Sequence, residues 1–202
     1  WDGINGAELW KSDGTASGTV MVKDIYSGSG DSYPTDFTAV GNTLYFVAGD
    51  ETNGRELWKS NGTANGTVMV KDINTGYFGG SISSQPQQIT VIANTLYFLS
   101  TDGGSDNGIY KSDGTPNGTY FVHGLQSDWS YEGMVAIDDT LYYYSTFSEK
   151  MLWKYDTRLD IEMVVLNMEY DYSNIGLTVV GNMLYFSFDP LYDGDELWMY
   201  SL

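Results

Sequence analysis

Residues 8–25 read ELWKSDGTASGTVMVKDI, and residues 56–73 read ELWKSNGTANGTVMVKDI. One 18-residue phrase is written twice, 48 residues apart. Such a phrase fixes the architecture before any single residue is weighed, because each copy must bury its apolar surface against the next. It also weakens its own residues as candidates for chemistry. A side chain repeated in every copy is explained more simply by holding the copy together.

Worn copies follow at 109–125 (IYKSDGTPNGTYFVHGL) and 152–168 (LWKYDTRLDIEMVVLNM), and a fifth begins at Glu196-Leu197-Trp198. The aromatic anchor recurs as Trp10, Trp58, Tyr110, Trp153 and Trp198. A second phrase alternates with it: GNTLYF at 41–46, ANTLYF at 93–98, DDTLYY at 138–143 and GNMLYF at 181–186. Each copy reads as four short strands. Strand one ends at a two-residue turn (Gly41-Asn42 and its equivalents), whose residue types tolerate the positive φ of tight hairpins. Strand two is the LYF segment, strand three carries Leu-Trp, and a Gly-rich turn leads into strand four, Thr19–Ile25 in the first copy. Strands two and four are nearly continuous apolar runs, which predicts sheets buried on both faces. No helical periodicity is present. The expected fold is all-β, a β-propeller-like array of about four four-stranded antiparallel blades. An open β-solenoid is the alternative, and a sandwich has no need of a repeating phrase. The expected organisation is one domain over 1–202, with units near 1–32, 33–84, 85–132, 133–174 and 175–202.

The motif ELWKSDGT at 8–15 resembles the bacterial ELWxxDGT repeat family. The resemblance is close in the first two copies. It weakens at Ile109-Tyr110, and both Gly-Thr pairs are lost in YDTRLDIE at 155–162. It implies a secreted or surface-attached bacterial protein with propeller-like repeats, and it brings no catalytic motif.

Composition narrows the classes further. A net charge of −18 with two arginines, Arg55 and Arg158, argues against binding nucleic acid or an anionic membrane surface. The absence of cysteine excludes thiol catalysis and cysteine-held metals. No apolar run approaches the roughly 20 residues of a membrane span, so no membrane insertion is expected. A third strand stands near both ends, at Leu9-Trp10 and Leu197-Trp198, so the expectation is a piece of a longer repeat protein or a ring with a spare strand. Asn61, Asn65 and Asn117 each begin an Asn-Gly-Thr triplet, which reads as turn chemistry before glycosylation.

Anchor spacings of 48, 52, 43 and 45 residues differ in two places only: the link from strand four to the next strand one, and the loop from strand two to strand three. In an up-and-down blade both emerge on one side, which nominates a working face. The links carry aromatics outside the repeat template: Tyr26 and Tyr33, Tyr77 and Phe78, Trp129 and Tyr131, Tyr170 and Tyr172. Of these, Tyr33, Tyr77, Phe78, Trp129, Tyr131, Tyr170 and Tyr172 are the candidate ligand contacts. Rings among Gly, Ser and acids suit the C–H faces and hydroxyls of a glycan. The same rings could equally cap the blade ends or meet a protein partner. The strand two-to-three loops are acidic. Asp50, Asp102 and Asp106 lie there, with Asp189, Asp193, Asp195 and Glu196 in DPLYDGDE as the best set. Such hard oxygen ligands suit Ca²⁺, although none has EF-hand spacing and a solvated turn explains them too.

The single histidine, His123, takes a strand-four slot filled elsewhere by Lys23 and Lys71, and one histidine argues against a Ser-His-Asp triad. The chain is therefore expected to be a non-catalytic, secreted or cell-surface binding or adhesion module. A self-assembling structural subunit joined through edge strands and a glycan-active enzyme using two carboxylates stand as alternatives.

Overall fold

The computed structural model describes residues 3–76, 83–125, 131–145, 151–168, 176–188 and 196–201. Among them are seventeen strands and no helix. They form two compact units, Trp1–Gly124 and Leu125–Leu202. In the first, β1 (Leu9–Lys11) pairs with β2 (Val20–Lys23). Two four-stranded meanders follow: β3 (Thr35–Val40), β4 (Thr43–Asp50), β5 (Gly54–Ser60) and β6 (Val68–Lys71), then β7 (Gln87–Ile92), β8 (Thr95–Thr101), β9 (Asn107–Ser112) and β10 (Tyr120–Gly124). In the second, β11 (Tyr131–Ile137), β12 (Thr140–Ser145), β13 (Met151–Asp156) and β14 (Ile161–Asn167) form a third meander. β15 (Thr178–Val180), β16 (Met183–Phe188) and β17 (Glu196–Ser201) form a three-stranded sheet. Every pairing is antiparallel between neighbours in sequence.

The Leu-Trp pair is explained by the two-residue period of a strand. Trp58 joins Leu9, Val22, Ile25, Phe46 and Ala48 on one side of its sheet. Leu57 joins Leu96, Phe98 and Tyr110 of the following sheet on the other. The two side chains thus bury both faces of one blade. Strand two is buried on both faces as expected, with Phe46, Val47 and Ala48 all sealed from solvent. Strand four departs from expectation. It is the outer edge of each meander, and its outward residues Val20, Val68 and Tyr120 stand exposed. The run is apolar throughout, but only part of it reaches a core: Val22 and Val70 are buried, and Met69 and Phe121 pack against the clusters on their faces.

The turn after Leu-Trp accounts for the rest of the phrase. Asn61 Oδ1 accepts from the backbone N–H and the hydroxyl of Thr63, at 3.1 and 2.7 Å. Thr63 Oγ1 accepts from Gly66 N, and Thr67 Oγ1 donates to Thr63 O. Gly62 sits at φ +83°, and a Cβ on Gly66 would lie 2.0 Å from Asn61 Oδ1. The same contacts recur around Asp13 and Asp113. The recurring lysines join sheets: Lys11 and Lys23 donate to Gly62 O and Thr67 O, and Lys59 and Lys71 donate to Gly114 O and Thr119 O, all at 2.7–2.8 Å.

The Glu of ELW is a buried clasp. Glu56, with no exposed surface, accepts from Ile73 N (3.2 Å), Ser84 N (3.0 Å) and Ser84 Oγ. Glu8 does the same for Ile25 N, Tyr26 N, Ser32 N and Ser32 Oγ. Ser32 O then accepts from Gly49 N, and Ser84 O from Thr101 N. Each clasp therefore ties one blade's third strand, the link, and the next blade's second strand. Where Gly108 and Met151 replace Glu, the positions matching Ser32 become Trp129 and Tyr172, so the carboxylate and its serine are replaced together.

Burial pushes the Glu56 carboxyl up to about 7, against the pull of the Ser84 and Ile73 donors, with Asp72 adding to the rise. Between the ordinary value of 4.5 and about 7 the folded chain holds this proton more tightly than the unfolded chain. The contribution therefore falls as pH rises through that window, by at most about 3 kcal/mol. Glu56→Gln removes the titration, so denaturant melts at pH 5 and pH 8 should show wild type losing ground to the variant as pH rises. A constant difference between them would contradict this assignment.

The hairpin turn after β7 holds Ala93 at φ +46° and Asn94 at φ +68°. Asn tolerates that region, but alanine pays a Cβ penalty of about 1 kcal/mol there. Ala93 is exposed, and glycine fills the matching place at Gly41 and Gly181. Ala93→Gly should raise stability by about 0.5–1 kcal/mol in urea melts, whereas a loss of stability would refute the strain.

Candidate functional site

The two variable connections meet within the first unit. β5 begins at Gly54, so Arg55 stands where the strand two-to-three loop enters the sheet. Its backbone grips the following link: Arg55 N donates to Ser83 Oγ (3.1 Å), and Arg55 O accepts from Gln85 N (3.2 Å) and Ser83 Oγ (3.2 Å). Its side chain reaches the preceding link instead. Nη1 donates to Tyr33 O at 2.9 Å and Ser32 O at 3.4 Å, and Nη2 donates to Thr35 Oγ1 at 2.8 Å. One residue thus ties both links, on either side of a cavity.

That cavity has a volume of about 270 Å³ and is lined by Thr35, Asp36, Arg55, Ser83, Gln85, Pro86 and Gln87. Asp36 Oδ1 accepts from Gln88 N at 3.3 Å, bridging the two sheets. The backbone here is unusual. Tyr33, Asp36, Gln85 and Gln88, none of them glycine, all lie at φ between 44° and 57°. Tyr33 and Gln85 each precede a proline, and Asp36 and Gln88 sit at the matching bulges of β3 and β7. Four such residues in two equivalent links hold strained backbone at one place, which is where binding sites gather it. Burial lowers the Arg55 pKa, while the Asp36 charge opposes that shift.

Of the aromatic candidates, Tyr33 is described. It is 59% exposed, and its hydroxyl hydrogen-bonds Asp31, which with that carboxylate's charge pushes the phenol up. Its carbonyl belongs to the Arg55 cluster. Tyr131 begins β11, paired with Ser145. Tyr77, Phe78, Trp129, Tyr170 and Tyr172 lie outside the described residues, as do Asp189, Asp193 and Asp195. Glu196 opens β17 opposite Phe188.

Two of the acidic candidates close their own turns. Asp50 accepts from Thr52 N, Asn53 N and Asn53 Nδ2. Asp102 Oδ1 accepts from Gly104 N and Asp106 N. Asp106 takes the Ser105 hydroxyl on its carboxylate and the Tyr110 hydroxyl on its carbonyl. Among the described residues, no three His, Cys, Asp or Glu side chains come together in a metal-holding group. His123 lies on β10, as its slot in the repeat places it.

Sequence reasoning missed the cavity because its key residues are unremarkable alone. Two signals were present. Arg55 is one of two arginines in a strongly acidic chain, and Ser32-Tyr33-Pro34 matches Ser84-Gln85-Pro86 when the links are aligned on strand one.

No protein-family model and no curated protein matches the chain. Solved structures do. The chain is similar to a puromycin hydrolase (TM-score 0.62, 12% identity, 92% of this chain and 29% of that one). It is similar to a puromycin-hydrolyzing peptidase of Mycobacterium tuberculosis (TM-score 0.60, 12%, 92% and 29%). It is also similar to TolB from Acinetobacter baumannii (TM-score 0.55, 15%, 96% and 46%). The chain spans less than half the length of each of these proteins. The expectation that the chain is not an enzyme is corrected by the first two, since peptidases carry this architecture over nearly its whole length. At such identities the likeness establishes the fold and transfers no residue. That fold is the β-propeller, the architecture expected from the repeat.

Proposed function

We propose that this chain is a carbohydrate-binding repeat module of a secreted or cell-surface bacterial protein, with its ligand seated on the variable-loop side of the blades. The observation that carries the reading is the cavity around Arg55. It is concave and about 270 Å³ in volume. Its lining offers hydroxyl, amide, carboxylate and guanidinium groups with Pro86 as the one apolar residue, a set of donors and acceptors suited to a sugar's hydroxyls. The exposed ring of Tyr33 stands on the preceding link. The exported setting draws on the resemblance of ELWKSDGT at 8–15 to surface-protein repeats and on the acidic surface. The repeat phrase itself is taken up by hydrogen bonds within and between blades, which leaves the links free to vary.

A glycan microarray probed with the whole chain tests this reading. Binding to a defined set of glycans is expected, reduced about tenfold or more by Gln85→Ala and by Tyr33→Ala, each of which loses one exposed side chain. Absence of binding across a broad array would overturn the reading. Binding that both variants leave unchanged would move the site away from this cavity.

A further inference from the structure

The cavity's one cation carries an inference about which sugars it takes, and this rests on the carbohydrate reading above. In a chain of net charge −18 the two arginines are placed very differently. Arg158 is well exposed and pairs with Asp139 at 3.3 Å. Arg55 is half-buried, and among the described residues no carboxylate lies within ion-pair distance of it. Its partners are two backbone carbonyls and one hydroxyl. Asp36 lies near enough for its charge to be felt, but it gives its carboxylate to Gln88 N. A guanidinium has five N–H donors, and three bonds are made. The Nε–H and one Nη2 hydrogen remain uncommitted among the described residues.

A partly desolvated guanidinium that meets only neutral acceptors retains an unanswered charge, and a planar carboxylate matches its fork. The surrounding groups limit how much negative charge can enter. Asp36 and the overall acidity oppose a phosphate monoester, which brings nearly two charges, and a polysulfated chain, which brings several charged groups. A single carboxylate on an otherwise neutral, hydroxyl-rich ring is compatible with both constraints. A peptide carboxyl terminus would also offer one carboxylate. It would bring an apolar side chain, however, and Pro86 is the one apolar residue in the lining.

We propose that the Arg55 cavity selects a hexuronate residue within a glycan. The sugar's carboxylate meets the free edge of the guanidinium, and its hydroxyls meet Ser83, Gln85, Gln87 and Asp36.

Titration calorimetry with the whole chain tests this, using oligogalacturonate and oligoalginate as probes beside their methyl esters and a neutral oligoglucan. At least one acid oligomer should bind about tenfold or more tightly than its own ester. Arg55→Gln should abolish that difference. Because Arg55 also ties two links, Gln87→Glu provides the second test. Gln87 is exposed on β7, and a carboxylate there should weaken the acid form several-fold more than the ester. Equal affinity for acid and ester overturns the proposal, as does an acid preference that Gln87→Glu leaves undiminished. In either case, binding of the esters or the oligoglucan would leave the carbohydrate reading standing. Failure of every glycan to bind would end both.

Discussion

The structure of the first unit depends on a carboxylate taken out of water. Glu56 has no exposed surface, yet three donors converge on it from two different parts of the chain. Removing the acceptor would leave Ile73 N, Ser84 N and the Ser84 hydroxyl buried and unmet, which is far more costly than a typical hydrogen bond is worth. The group's elevated affinity for its proton shows that the ion is only partly compensated. Both facts are consistent: the clasp is expensive to ionise and more expensive to lose. Because Ser84 O then receives Thr101 N, a single side chain sets the position of the link and the end of the next blade's second strand.

That arrangement divides labour within each repeat. Core aromatics, lysine struts and the Asn61-type turn use nearly all the chemistry of the constant phrase. The phrase holds each link through a serine, and in the first link also through Tyr26 N and Gly28 N. Arg55, adjacent in sequence to the clasp, inherits its rigidity and projects between two links held in strained backbone. A site built this way can change its residues without disturbing the blade, which is how a propeller scaffold comes to host unrelated activities.

Much of the fold was legible in the sequence, because the phrase repeats and its punctuation is local. Gly41, Asn94, Asp138 and Gly181 marked tight turns, and the strand-two run Leu44-Tyr45-Phe46 marked a strand buried on both faces. Strand four was over-read, since VMV is apolar whether its outward residues meet another sheet or solvent. The candidate site was only partly legible. Comparing loop lengths found the side of the blade, because insertions there are visible in one dimension. The cavity was not visible, because Arg55 meets Thr35 and Tyr33 across about 20 residues and faces Gln85 and Gln87 across about 30. The acidic loops are legible only as composition: Asp50 and Asp102 close turns a few residues long, and composition alone does not distinguish a turn cap from a ligand.

The claim that the clasp organises the blades is tested most directly by a double-mutant cycle between Glu56→Gln and Ser84→Ala, read by equilibrium unfolding in denaturant. Residues acting through one buried network should be strongly coupled, with an interaction energy of about 1–3 kcal/mol. Additive losses, with coupling near zero, would mean that Glu56 and Ser84 stabilise the fold independently and that the link is positioned by other contacts.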